Sequence, residues 1–109
     1  SECVLVAAEP LPPGEALVAA VARAAIEPPH RDAEFAILVS RYIAGMGVGR
    51  MLMRRLVRWA RRKQVNRLYG DVLESNLPML ELARALGFHR ERSESPGLVR
   101  VVLDLSRDR

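Results

Sequence analysis

Three glycines alternate along the stretch AGMGVGR, at Gly45, Gly47 and Gly49, and Arg50 follows at once. Each glycine weakens a helix or strand by roughly 0.5–1 kcal/mol against alanine, so three exceed what a plain turn needs. A nucleoside-triphosphate phosphate loop requires Lys-Ser/Thr after its last glycine, and Arg50-Met51 stand there instead. A dinucleotide fingerprint starting at Gly45 requires a small residue at position 50, which is arginine. The residues after Gly47 have helical periodicity, yet no Ser, Thr, Asp or Asn lies in 44–50 to cap the helix start. Arg50 sets a cation at the positive end of the helix dipole. An anion bound there would satisfy the free N–H groups and offset that repulsion. The expected ligand is an oxyanion, a phosphate, held at residues 46–50.

The other reactive side chains are few. Cys3 is the only cysteine, so an internal disulfide is excluded and a reducing cytoplasm fits. Its position suits packing better than catalysis. His30 sits in a proline-rich turn and His89 follows Gly87-Phe88; neither has partners at metal-ligand spacing, so no metal is assigned. From Phe35 to Gly70 there is no acidic residue, while Arg41, Arg50, Arg54, Arg55, Arg58, Arg61, Arg62, Lys63 and Arg67 all fall there. Such a block attracts an anionic ligand or surface, or is a solvated helix face. Trp59 lies among the arginines. It is either a base-stacking group of a basic nucleic-acid module or a core residue bordering the apolar stripe.

These residues need a scaffold. The 109 residues, with net charge +4, suffice for one small domain, taken here as 1–109. The opening at Ser1 in mid-strand suggests the later part of a longer chain. No apolar run approaches the roughly 20 residues of a membrane span. Residues 3–9 and 33–40 read as strands, with Glu34 near the start of the second. Residues 10–14 and 28–32 break the chain. Residues 15–27 are ambiguous, because their alanines favour helix while a strand is also possible. Residues 47–63 form a helix with Val48, Leu52, Leu56 and Ala60 on one stripe, Met53 and Val57 beside it, and Arg50, Arg54, Arg58 and Arg61 on another. Residues 67–73 form a strand. Ser75 or Asn76 caps a second helix, with Pro78 in its first turn and Gly87 past its end. Two closing strands surround residues 95–97. This order predicts an α/β (α+β) sheet domain.

The strand AEFAILVS, the loop AGMGVGR, the basic amphipathic helix, the strand GDVL and the segment NLPMLELARALGF together resemble the GNAT family of N-acetyltransferases, over roughly residues 33–105. The family's loop pattern is Q/R-x-x-G-x-G/A, matched at Gly47 and Gly49. Its later pattern, an Asn opening a helix that closes on Gly-Phe, is matched by Asn76, Gly87 and Phe88. The nearest likeness is to protein-lysine acetyltransferase domains fused in bacteria to acyl-CoA-synthetase-like modules. Two positions depart: Ala44 stands where the family has Gln or Arg, and Ala83 where many members carry a tyrosine that protonates the leaving thiolate.

The resemblance implies a partial GNAT fold, a mixed and mostly antiparallel sheet with two helices, lacking the family's first strand and first two helices. It makes 15–27 a strand paired with 3–9 and 33–40. It implies acetyl-CoA as co-substrate, held through Leu38, Val39, Gly45, Met46, Gly47, Val48, Gly49, Arg50 and Asn76. The backbone N–H near Val39 would face the thioester oxygen. An amine, a protein lysine, would attack the thioester directly, with no covalent enzyme intermediate. Such an amine must first lose a proton. Glu34, ten residues before Ala44, is the expected base, matching a glutamate of related protein acetyltransferases; otherwise it is a strand acid paired to Arg31 or Arg41. Asp71 and Glu74 are the next candidates. Asn76 touches the pantetheine arm, or orients the splayed strands, or simply caps its helix. The expected partners are acetyl-CoA and a lysine-bearing protein, not a membrane or nucleic acid. The alternatives are an acyl-CoA-sensing domain without turnover and a basic nucleic-acid-binding module.

Overall fold

A computed structural model describes residues 2–8, 18–39 and 47–106, with side chains at Cys3, 22–38 and 47–106. The strands are β1 (Glu2–Ala8), β2 (Val18–Glu27), β3 (Asp32–Val39), β4 (Arg67–Leu73), β5 (His89–Arg92) and β6 (Leu98–Asp104). The helices are α1 (Val48–Arg62) and α2 (Leu77–Ala85). The sheet runs β1-β2-β3-β4-β6-β5, and only the β3–β4 pair is parallel. That is the mixed, mostly antiparallel sheet with two helices expected from the sequence. The turn expected at 10–14 lies outside the described residues.

The ambiguous alanine-rich segment is a strand. Its propensity is overridden because β2 pairs on both sides, Cys3 opposite Ala24 and Ala24 opposite Phe35. Small residues suit this position. Ala22 and Ala24 are buried beneath α1, where larger side chains would hold the helix away.

One face of the sheet forms the core. Ala33 and Phe35 of β3, Leu68 and Val72 of β4, and Val101 and Leu103 of β6 point there. They meet Leu52, Met53, Leu56, Val57, Trp59 and Ala60 of α1 and Leu80 and Ala83 of α2. The apolar stripe read from the 3.6-residue period is thus the buried face of α1, and Trp59 belongs to it, only 6% exposed. The arginines occupy the other side of the helix: Arg50, Arg54, Arg55, Arg58, Arg61 and Arg62 are exposed.

The ends of α1 differ sharply. At its C-terminus the Arg31 side chain donates to the carbonyls of Lys63 and Gln64. A cation on orphan carbonyls at a helix C-terminus is favourable twice over, by hydrogen bond and by dipole. Asn66 stitches the same turn down, donating Nδ2–H to the His30 carbonyl at 2.9 Å. Its N-terminus has no such support, as described below. At the far edge of the sheet, every residue of β5 is polar and exposed, with Glu91 bridging Arg67 at 2.7 Å and His89 at 2.9 Å. Charges on an edge strand discourage pairing with another sheet.

β3 and β4 pair only from Asp32–Arg67 to Glu34–Tyr69. Beyond that point β3 stays with β2 and β4 with β6. The two strands part, and Gly70 stands at the root of the opening. A Cβ on Gly70 would lie 2.8 Å from the Phe35 ring and 2.8 Å from the Phe35 carbonyl oxygen. The ring is also braced edge-on against Phe88, with centroids 5.8 Å apart. Because a backbone oxygen cannot swing aside, Gly70→Ala is expected to destabilise the fold by about 1–3 kcal/mol, the usual cost of overpacking. Urea unfolding measures this, and an unchanged midpoint would show that the strands adjust freely.

Candidate acyl-transfer site

The parallel arrangement of β3 and β4 gathers the site at one end of the sheet. Both strands run in the same direction, so α1 starts where β3 finishes and α2 starts where β4 finishes. In open sheets, ligands bind in such crevices beyond the carboxyl ends of parted strands. Past Glu34, alternate residues of β3 turn their N–H and C=O toward the opening, where no described strand pairs with them. Leu38 and Val39 lie on this stretch. Leu38 is 76% exposed and Leu73, on the opposite arm, 58% exposed, so the opening has apolar flanks.

The start of α1 has the form the glycine spacing suggested. Gly47 is the N-cap, with φ 81° in the left-handed region and no side-chain cap. Glycine adopts this conformation without the cost borne by other residues. The first intrahelical bond runs from Met51 N–H to the Gly47 carbonyl at 3.0 Å. The N–H groups of Val48, Gly49 and Arg50 precede it and are helix orphans. No acid lies in the first turn. Val48 and Gly49 are half-buried and Arg50 is exposed. Gly45, Met46, Ala44 and Arg41 lie outside the described residues.

α2 starts differently. The Asn76 side chain accepts the Met79 N–H at 3.3 Å, so it does cap its helix. Ala83 packs fully buried in the core, so no side chain there reaches the opening.

The outer face of the sheet carries the ionisable groups. An open groove of about 360 Å³ is lined by Arg23, Ala24, Ala25, Glu34, Phe35, Ala36 and Asp71. Glu34 and Asp71 therefore share one depression beside the parting strands. Arg31, one partner considered for Glu34, is spent on the end of α1. Asp71 receives Arg100 on both oxygens, Nε to Oδ1 at 3.1 Å and Nη2 to Oδ2 at 3.4 Å. That hydrogen bond holds the Arg100 guanidinium above its ordinary range, against the pull of burial. Arg100 also stands over the Tyr69 ring, 4.8 Å from its centroid. Tyr69 donates its hydroxyl to Glu27. Burial first, then this bond and the charges of Glu27 and Glu34, push the phenol up, so it stays protonated at neutral pH. Glu74 lies in the turn after β4, its N–H bonded to the Gly97 carbonyl at 3.0 Å.

Cys3 packs against the core, and burial pushes its thiol up despite the Arg62 charge. A thiol so placed is a poor nucleophile.

The profile of the Acetyltransferase (GNAT) family matches residues 2–88. The chain belongs to the GNAT acetyltransferase family. Solved structures agree in fold. The GNAT domain of S. lividans PAT is 28% identical with a TM-score of 0.71, over 81% of this chain and 55% of that one. Ribosomal-protein-alanine N-acetyltransferase from Brucella melitensis is 24% identical with a TM-score of 0.72, over 94% and 68%. The Salmonella typhimurium protein yncA, solved with its cofactor acetyl-CoA, is 22% identical with a TM-score of 0.69, over 82% and 59%. At such identities the last two share the fold alone. The chain thus spans little more than half the length of several GNAT neighbours.

Within the GNAT frame, the structure brings Glu34, Leu38 and the Val39 backbone to the opening and sets Val48, Gly49 and Arg50 on the uncapped helix start. The sequence offers Asp71 as a candidate base but not its link through Arg100 and Tyr69 to Glu27. The two-residue period of β4 signals that Tyr69 and Asp71 share a face, but Arg100 joins them only through the β4–β6 register.

Proposed function

We propose that this GNAT domain, residues 1–109, binds acetyl-CoA and transfers its acetyl group to an amine, a protein lysine, in the cytoplasm. The observation that carries the reading is the opening between β3 and β4 with an uncapped, glycine-led helix starting at its end. Those N–H groups suit the pyrophosphate of CoA, and the open edge of β3 suits its amide-bearing arm. The resemblance of the sequence motifs to protein-lysine acetyltransferase domains carries the further proposal that acyl-CoA-synthetase-like modules accompany the domain.

Acetyl-CoA supplies an activated thioester. The amine nitrogen forms a bond to the acyl carbon, the carbon–sulfur bond breaks, and the thiolate leaves; the second proton that the nitrogen sheds on becoming an amide passes to the thiolate through solvent. Glu34 takes the ammonium proton, directly or through one water, before attack. The N–H near Val39 faces the thioester oxygen as charge develops on it. A thiolate with a pKa of about 8.5 leaves with little protonic help, which a site without a tyrosine at position 83 requires.

Thiol release from acetyl-CoA in the presence of a lysine-peptide library tests the reaction. Acetylated peptides are expected. Binding of acetyl-CoA with no thiol release would favour the sensing domain, the reading that the buried Ala83 supports. Nucleic-acid binding by stacking loses its aromatic, because Trp59 faces the core.

Arg50 belongs to the anion site and the later arginines do not. Arg58 lies about 12 Å further along the helix, beyond the screening length of roughly 8–10 Å at physiological salt. Arg50→Ala is expected to weaken acetyl-CoA binding by about tenfold, the scale of a charge-assisted contact. Arg58→Ala and Arg61→Ala should leave it within about twofold, since exposed, screened charges contribute little. Tight, salt-dependent duplex binding lost in the latter two variants would count for nucleic acid instead.

A further inference from the structure

Two carboxylates, Glu34 and Asp71, line the same groove, and either could take a proton from an incoming amine. They differ in what holds them. Arg100 lays its fork across both oxygens of Asp71. The same guanidinium is stacked over Tyr69, and Tyr69 is fixed at its other end by Glu27. Tyr69 is the direct neighbour of Glu34 in the last β3–β4 pair before the strands part. Arg100 itself is on β6 and does not line the groove.

We propose that Arg100 is a positioning residue that assigns the base role to Glu34, by engaging both oxygens of Asp71 and fixing the Tyr69 wall beside Glu34. A carboxylate in a two-pronged pair has two of its four lone-pair sites occupied by N–H groups and is held in one orientation, so it is not free to turn toward an incoming amine. Glu34 makes no such pair with Arg100. The site therefore holds two chemically equal acids made unequal by one arginine from a neighbouring strand. This inference rests on the reading of Glu34 as base, and the test separates the two.

Thiol release from acetyl-CoA with lysine peptides is measured for the full-length protein as wild type, Glu34→Gln, Glu34→Gln/Arg100→Met, and the triple variant that adds Asp71→Asn. Glu34→Gln should lose about 10²-fold in turnover. Freeing Asp71 in the double variant should restore about tenfold of that loss, with the low-pH limb of the rate profile returning, because a carboxylate again accepts the proton. Asp71→Asn should remove both gains. A double variant no faster than Glu34→Gln, or a recovery that survives Asp71→Asn, would overturn the role of Arg100 while leaving Glu34 as base. Wild-type turnover in Glu34→Gln would overturn the base reading itself. Circular dichroism checks folding, and Arg100→Lys keeps the charge without the fork if the methionine variant does not fold; a smaller recovery with the same Asp71 dependence is expected.

Discussion

Glu34→Gln is expected to lower acetyl-transfer turnover by about 10²-fold or more, the usual contribution of a positioned base, with acetyl-CoA affinity nearly unchanged. Glutamine keeps the size and most of the hydrogen bonding, but it cannot accept a proton. The position explains the separation of the two effects. Glu34 points to the outer face from the last residue of β3 that pairs with β4, whereas the helix start proposed to bind the anion follows the far end of that strand. Wild-type protein should also lose activity as pH falls and the carboxylate becomes protonated; the variant should lack that limb. Steady-state rates against pH, with thiol release as the readout, check both. A variant with wild-type turnover and the same limb would make Glu34 structural. Asp71, pinned by Arg100, would then be a weaker successor than its place in the groove suggests.

Gly47→Asp should weaken acetyl-CoA binding by about 100-fold, equivalent to roughly 2.7 kcal/mol. The structure assigns the effect to the ligand side, because a Cβ at Gly47 meets nothing within 4 Å in the protein. The residue's φ of 81° is strained for a side chain, though aspartate tolerates this region better than most. An aspartate at a helix N-cap would also supply the missing acceptor and repel the incoming pyrophosphate. The variant should therefore remain folded. Calorimetry and thermal melting together check the claim, and equal affinity for the two proteins would remove the anion from this helix start.

Much of this architecture is written locally in the chain. The apolar stripe of α1, the Asn76 cap and the bare glycine N-terminus follow from spacing and side-chain chemistry within a few residues. What distant pairing decides is not legible that way. Residues 18–27 have helix-forming composition, and only β1 and β3 on either side make them a strand. Arg31 looked like a partner for Glu34, but the hairpin carries it to the end of α1. Gly70 reads as an ordinary strand glycine until Phe35 is seen against it. Arg100 and Asp71, 29 residues apart, meet through strand register, which no local pattern encodes. Among the proposed site residues, the helix-start positions follow from sequence physics, whereas Glu34 as base rests on its strand position and on resemblance to the family.

The central claim is that the opening between β3 and β4, with the helix start at Gly47, is built for CoA. Calorimetric titration of the full-length wild-type protein with acetyl-CoA tests it most directly. Saturable binding of one acetyl-CoA per chain, competed by free CoA, is the expected result. A protein that gives no binding heat, and does not retain acetyl-CoA in equilibrium dialysis at millimolar concentration, would contradict it.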